Sequence, residues 1–200
     1  SMFMLEQRIQ QQFFESADLI SQSADALSRP IAQAVAALLG CITAGGKVLI
    51  VGGGASAALA PYAAALWVGR FERNRPPLAA MALGQQGAVM AALTDGAEPH
   101  QALAKEVRAL GVPGDVLIAL AAGRSPTPLI AAVQAALGKD MSVIALTGAD
   151  NGIAELLGET DVHIAVPHER AARIVECHAL VLHCMADALD LQLMGEQDSA

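Results

Sequence analysis

Residues 48–56 read Val48-Leu49-Ile50-Val51-Gly52-Gly53-Gly54-Ala55-Ser56. After Lys47 this run has no polar side, which marks a strand buried on both faces, as in a parallel sheet. Three consecutive glycines follow, where the backbone can turn sharply and approach a ligand closely. Ser56 then opens an alanine-rich helix. A helix start offers unpaired N–H groups and a positive dipole end, which suit an anionic group such as a phosphate.

Downstream the same pattern repeats. Residues 56–70 read as a helix and 78–83 as a second strand. Helices are expected over 86–95 and 98–110, separated by Gly96. Residues 115–120 form a third strand, 125–137 a helix, 141–146 a fourth strand, 152–157 a short helix and 162–166 a fifth strand. A long helix over 169–193 closes the chain. This alternation specifies an α/β fold: a doubly wound, five-stranded parallel sheet with helices on both faces and right-handed crossovers. Ligands of such folds bind beyond the carboxyl ends of the strands. Upstream, residues 4–27 carry apolar residues at helical spacing. Ser28-Arg29-Pro30 reads as the start of a second helix, with Ser28 as N-cap and Pro30 in the first turn. Residues 1–45 are therefore expected to form a helical hairpin used in oligomerisation, and 46–200 the sheet-bearing unit, within one structural domain.

Composition narrows the class. The 200 residues are 54% hydrophobic but only 3% aromatic, with mean hydropathy +0.45, so the core is built from Ala, Leu, Val and Ile. The small polar fraction fits a chain that buries further surface between subunits. A formal charge of −8 argues against direct nucleic-acid binding, which needs a basic face. Cys41, Cys177 and Cys184 lie in apolar, helical contexts without paired spacing or cationic neighbours, and read as reduced core thiols of a cytoplasmic protein. No apolar run reaches about 18 residues without Gly, Pro or a charge, so no membrane span is expected. No signal peptide is expected either.

Three strand ends carry small or hydroxyl residues: Gly52 to Ser56, Ala121 to Pro126, and Thr147 to Asp150. Ser125 is placed to cap the following helix, with Pro126 in its first turn. Gly53, Gly54, Ser56, Gly123 and Ser125 are the candidate anion-binding residues; Ser56 and Ser125 read equally well as simple helix caps. The dinucleotide spacing Gly-x-Gly-x-x-Gly fails, because Ala57 stands at its third position.

The chain resembles the SIS (sugar isomerase) domain family over nearly its whole length. The segments that carry the resemblance are Gly45 to Leu49, Gly69 to Pro76, Gly114 to Leu117, Leu146 to Gly148, Val166 to His168, and Arg173-Ile174-x-Glu176-x-His178. Within the family it resembles the phosphoheptose isomerase branch. It is most similar to the initiator-associating proteins of the DiaA type, through Lys105 to Gly111, Ala172 to Ile174 and Met185 to Asp190. The resemblance implies a flavodoxin-like SIS domain, assembled as a homotetramer. It implies two further activities by branch: interconversion of sedoheptulose 7-phosphate with an aldose phosphate, or binding of the replication initiator DnaA. The isomerases use a His and a Glu one helical turn apart, then a Gln and a His on the last helix, around a zinc ion.

This chain departs from that set. Tyr62 and Leu66 stand at the first pair, Val175 at the Gln, Ala172 at an Asp near the start of the last helix, and only His183 matches. One imidazole cannot hold zinc, and no carboxylate remains to move a proton between C1 and C2. No metal and no cofactor are therefore expected. The family's Ser-Thr-Ser-Gly-Asn-Ser loop appears as Ala121-Ala122-Gly123-Arg124-Ser125, with Ser125 on a family hydroxyl if one gap is allowed and Pro126 there without it. Asp95 lies near where isomerases place an Asp in the site. Leu193 and Met194 match a Leu-Phe pair near the end of DiaA and suggest a partner contact. His183 reads as a core or interface histidine and would be catalytic only in an isomerase. His178 and Glu176 read as a structural polar pair, His163 as solvent-facing, and Arg70, Arg73 and Arg75 as a solvated helix end or, alternatively, an anion- or partner-recognition cluster. Three functions are consistent with these residues. They are a non-catalytic, DnaA-binding tetramer of the DiaA type, a phosphoheptose isomerase, and a regulatory phosphosugar-binding module.

Overall fold

Alternate residues of the central strands feed two separate cores, which is why these strands have no polar side. A computed structural model describes residues 1–96 and 98–196. Its five strands are β1 (Val48–Gly52), β2 (Ala80–Ala82), β3 (Val116–Leu120), β4 (Ser142–Thr147) and β5 (Val162–Ala165). They form one parallel sheet in the order β2-β1-β3-β4-β5. Val48 pairs with Val116, and Val116 with Ser142, so the ends of β1, β3 and β4 lie level. On one face Val48, Ile50, Ile118, Ile144 and Leu146 pack with the helices α1 (Met2–Thr43), α2 (Leu59–Val68) and α6 (Ala171–Met194). On the other, Leu49, Val51, Leu117, Ala119, Val143 and Ala145 pack with α4 (Ala102–Leu110) and α5 (Thr127–Gly138). Between β2 and α4 lies α3 (Gly87–Thr94), which has no buried residue.

The expected helical hairpin is not formed. Residues 2–43 make a single continuous helix with Pro30 inside it. The Ser28 hydroxyl bonds back to the Ala24 carbonyl instead of capping a new helix. Pro30 removes one backbone donor, a cost normally large enough to break a helix. Here the buried stripe crosses it: Leu19 and Leu27 before, Ala34, Val35, Leu38 and Cys41 after, all in one core. Burial on both sides of the proline outweighs the missing bond. By length and composition alone α1 is also apolar enough to cross a membrane. Its buried residues pack against α6 and the sheet, as those of a core helix do.

Several boundaries move. The second strand is only three residues long, at the sheet edge. Residues 54–58 and 154–156 are 3-10 turns rather than α-helix. The helix expected from Ser125 begins at Thr127.

Two buried ions hold the loops. Asp115 accepts from the Lys47 and Val112 backbone N–H groups at 3.0 and 2.9 Å, and from the Lys47 ammonium at 2.7 Å. Burial pushes its carboxyl up, and these donors together pull it below its ordinary value. Arg75 is not part of a solvated cluster. Its side chain is 2% exposed, its Nε donates to Asp190 at 2.6 Å, and its Nη atoms donate to the Trp67 and Leu66 carbonyls that end α2.

Candidate functional site

The sheet topology brings the ends of β1, β3 and β4 together, and the loops beyond them form the candidate site. Gly52 is fixed by close approach: a Cβ there would lie 2.4 Å from the Ser56 carbonyl oxygen. Gly54 has φ +56°, a left-handed conformation that favours glycine. Ser56 is buried, and its N–H bonds to the Gly53 carbonyl at 3.1 Å. Gly53 faces the β3–α5 loop, where a Cβ would meet Pro126 Cδ at 2.8 Å. The glycine turn and the Ser125 loop are thus in direct contact. Gly123 and Arg124 are exposed in that loop, with Arg124 reaching Asp150 at 3.3 Å.

Ser125 does not cap α5. The N-cap position is Pro126, which has no side-chain acceptor, and the Ser125 Oγ is buried without a hydrogen-bond partner among the described residues. Asp95 sits exposed at the C-terminal end of α3, a helix that packs chiefly on α4 and the turn before it.

At the end of β4 the structure gathers two histidines that sequence reading kept apart. His178 is fully buried on α6, and its Nε2–H donates to the Thr147 carbonyl at 2.8 Å. It makes no pair with Glu176, which accepts from Arg173 at 2.7 Å. Burial depresses the His178 pKa to about 4, partly countered by the bond to Thr147. His163 is not solvent-facing. It is half-buried, shares a 2.7 Å hydrogen bond with the Thr147 hydroxyl, and burial lowers its pKa too. No local signal marks this network, because its members lie on three separate elements.

His183 lies in a third group. Its Nε2 shares a 2.6 Å hydrogen bond with the Tyr62 hydroxyl, and its ring stacks on Phe71 with centroids 5.6 Å apart. Beside it, Leu66 and Trp67 are buried in the core. Cys41 and Cys177 are buried as expected, whereas Cys184 is exposed. Leu193 and Met194 are half-buried at the end of α6. Arg170 and Arg173 reach back from the start of α6 to α1, with Arg170 Nη1 donating to both Glu15 carboxylate oxygens at 3.0 and 2.9 Å and Arg173 to the Gln12 carbonyl at 2.8 Å.

Residues 12–148 match the model of the SIS domain family. The chain belongs to that family. It is 57% identical over 198 residues to a phosphoheptose isomerase of Methylibium petroleiphilum, with 98% of this chain and 99% of the relative covered. It is 41% identical over 192 residues to a DnaA initiator-associating protein DiaA of Serratia proteamaculans, covering 96% and 98%. Among solved structures, a phosphoheptose isomerase from Neisseria gonorrhoeae superposes with a TM-score of 0.87 at 40% identity, covering 93% of this chain and 98% of that one. Both branches that the sequence resembles are thus represented among its relatives.

The zinc ion implied by the isomerase branch does not fit the residues present. Tyr62, Leu66, Val175 and His183 offer one phenol, one imidazole and two aliphatic side chains, and the imidazole Nε2 is already engaged by the phenol. Among the described residues no three His, Cys, Asp or Glu side chains gather as a metal would require.

Proposed function

We propose that this protein is a non-catalytic member of the SIS family, a cytoplasmic homotetramer that acts by binding a protein of the DnaA initiator type. The observation that carries the reading is the Tyr62–His183 contact. A ketose–aldose conversion moves a proton between adjacent carbons and needs a positioned acid–base group. Here a leucine and a valine stand where a carboxylate and a carboxamide would act. The remaining imidazole is tied to Tyr62 and covered by Phe71. The partner is supported by the relatives named DnaA initiator-associating protein and by the formal charge of −8, which suits a basic DNA-binding partner. Leu193 and Met194 are the proposed contact. Leu193 packs against the first core, so the pair is presented on a fixed base.

Titration of immobilised protein with purified DnaA tests this. Saturable binding is expected, with Leu193→Ala/Met194→Ala weakening it about tenfold or more, equivalent to about 1.4 kcal/mol. Absence of binding across low and moderate salt sinks the reading. A second reading, phosphoheptose isomerase, is favoured by the 57% identity to a relative of that name. Turnover of sedoheptulose 7-phosphate that His183→Ala abolishes would establish it instead.

The tetramer is supported by α1. Its first two turns and their continuation expose Met2, Phe3, Met4, Leu5, Ile9, Phe13 and Phe14, an apolar arm that a monomer would leave in water. Light scattering is expected to give four copies of the 20.5 kDa chain. Phe13→Asp/Phe14→Asp is expected to yield a smaller species with unchanged helix content; a variant that stays at the native mass removes α1 from the interface.

A further inference from the structure

A helix start holds a phosphate through the N–H groups of its first turn, which have no intrahelical partners. At α5 that supply is nearly gone. Pro126 and Pro128 have no N–H. The Ser125 N–H is spent on the Asn151 carbonyl at 2.8 Å. The Leu129 and Ile130 N–H groups both turn back to the Pro126 carbonyl, at 3.0 and 3.1 Å. Thr127 alone keeps a free amide in this turn among the described residues.

The hydroxyl supply is thin as well. Ala121, Ala122 and Gly123 have none, the Ser125 Oγ is buried with no partner among the described residues, and Thr127 alone keeps an exposed hydroxyl in this stretch. One face of the turn is also filled. The Pro126 ring lies against Gly53 so closely that a Cβ there would meet its Cδ and Cγ at 2.8 and 2.9 Å, and Leu129 Cδ2 at 3.3 Å, whereas Gly54 and Gly123 face open space. The Gly53 face of a turn that looks open in the sequence is therefore packed by a neighbouring side chain.

We infer that Pro126 and Pro128 are specificity-determining residues that close the junction of the glycine turn and α5 to phosphate-bearing ligands. Pro126 acts by bulk and by its missing donor, Pro128 by its missing donor alone. Removing both restores two amides, the first next in the chain to the buried Ser125 Oγ, and frees the face of Gly53. The closure is independent of the protein partner proposed above, since Leu193 and Met194 belong to α6.

Thermal unfolding of the full chain, titrated with inorganic phosphate and with sedoheptulose 7-phosphate to millimolar levels, is the test. The native protein is expected to show no saturable rise in Tm. Pro126→Ala/Pro128→Ala is expected to gain one, with at least about tenfold tighter binding, and Ser125→Ala in that background to lose it. A saturable rise in the native protein that Ser125→Ala removes overturns the inference, and this titration needs no proline variant. A double variant with native helix content that gains nothing overturns it too. Should the double variant fail to fold, Pro128→Ala alone returns one donor, and a measurable gain is expected there; none counts against the role of the prolines. DnaA binding is read separately, so failure of either proposal leaves the other standing.

Discussion

Replacing Arg75 with methionine is expected to lower the unfolding free energy by about 3–5 kcal/mol, the cost of leaving a buried charge without its partner. Asp190 is 3% exposed, and its Oδ1 takes the Arg75 Nε–H at 2.6 Å, while its Oδ2 has no partner among the described residues. The stranded carboxylate thus has no second donor to turn to. Arg75 does more than pair with Asp190, because it also satisfies the Leu66 and Trp67 carbonyls in the last turn of α2. The two roles separate in a double-mutant cycle followed by urea unfolding. Arg75→Met/Asp190→Leu removes both charges and should recover part of the loss, as replacement of buried pairs by apolar residues often does. A residual loss of about 1–2 kcal/mol should remain from the uncapped carbonyls. If Arg75→Met unfolds at the native urea midpoint with an unchanged slope, the pair contributes nothing and the burial argument fails.

That pair also shows where sequence reading stops. Arg75 and Asp190 are 115 residues apart, and the local pattern around Arg70, Arg73 and Arg75 resembles any solvated helix end. The sheet was legible because its cause is local: continuous apolar runs at β1, β3 and β4 admit only strands covered on both faces. Pro30 misled because a proline's cost is local while the burial that outweighs it belongs to α6 and the sheet. The Ser125 loop misled differently. Ser-Pro at a helix start normally reads as N-cap and first turn, but the second proline at 128 and the Asn151 carbonyl set the start two residues later. That Tyr62, Leu66 and Val175 stand at the zinc-ligand positions of the isomerase branch rests on the resemblance alone. The bond between Tyr62 and His183, 121 residues apart, was not legible.

Below neutral pH the protein is expected to lose stability steadily, and His178 is the principal identifiable cause. Folding places its imidazole in the core between α6 and β4, where burial holds its pKa at about 4 against an ordinary value of 6.5. Between those values the unfolded chain carries a proton that the folded chain lacks, so stability falls as pH falls through that window. The loss is about 1.4 kcal/mol per pH unit and about 3 kcal/mol in all; below pH 4 both states are protonated and this group adds no more. His163, also lowered by burial, adds a contribution of the same sign. Carboxylates such as Asp115, lowered below its ordinary 3.8, act at more acid pH, so the upper part of the window belongs to the histidines. His178→Gln keeps a donor for the Thr147 carbonyl and cannot titrate. Its stability relative to native should therefore improve by about 3 kcal/mol between pH 7 and 4. If the two proteins keep a constant difference across that range in urea unfolding, His178 is not held neutral by the fold. The remaining slope of His178→Gln should flatten further on adding His163→Gln, because burial lowers the pKa of that imidazole too.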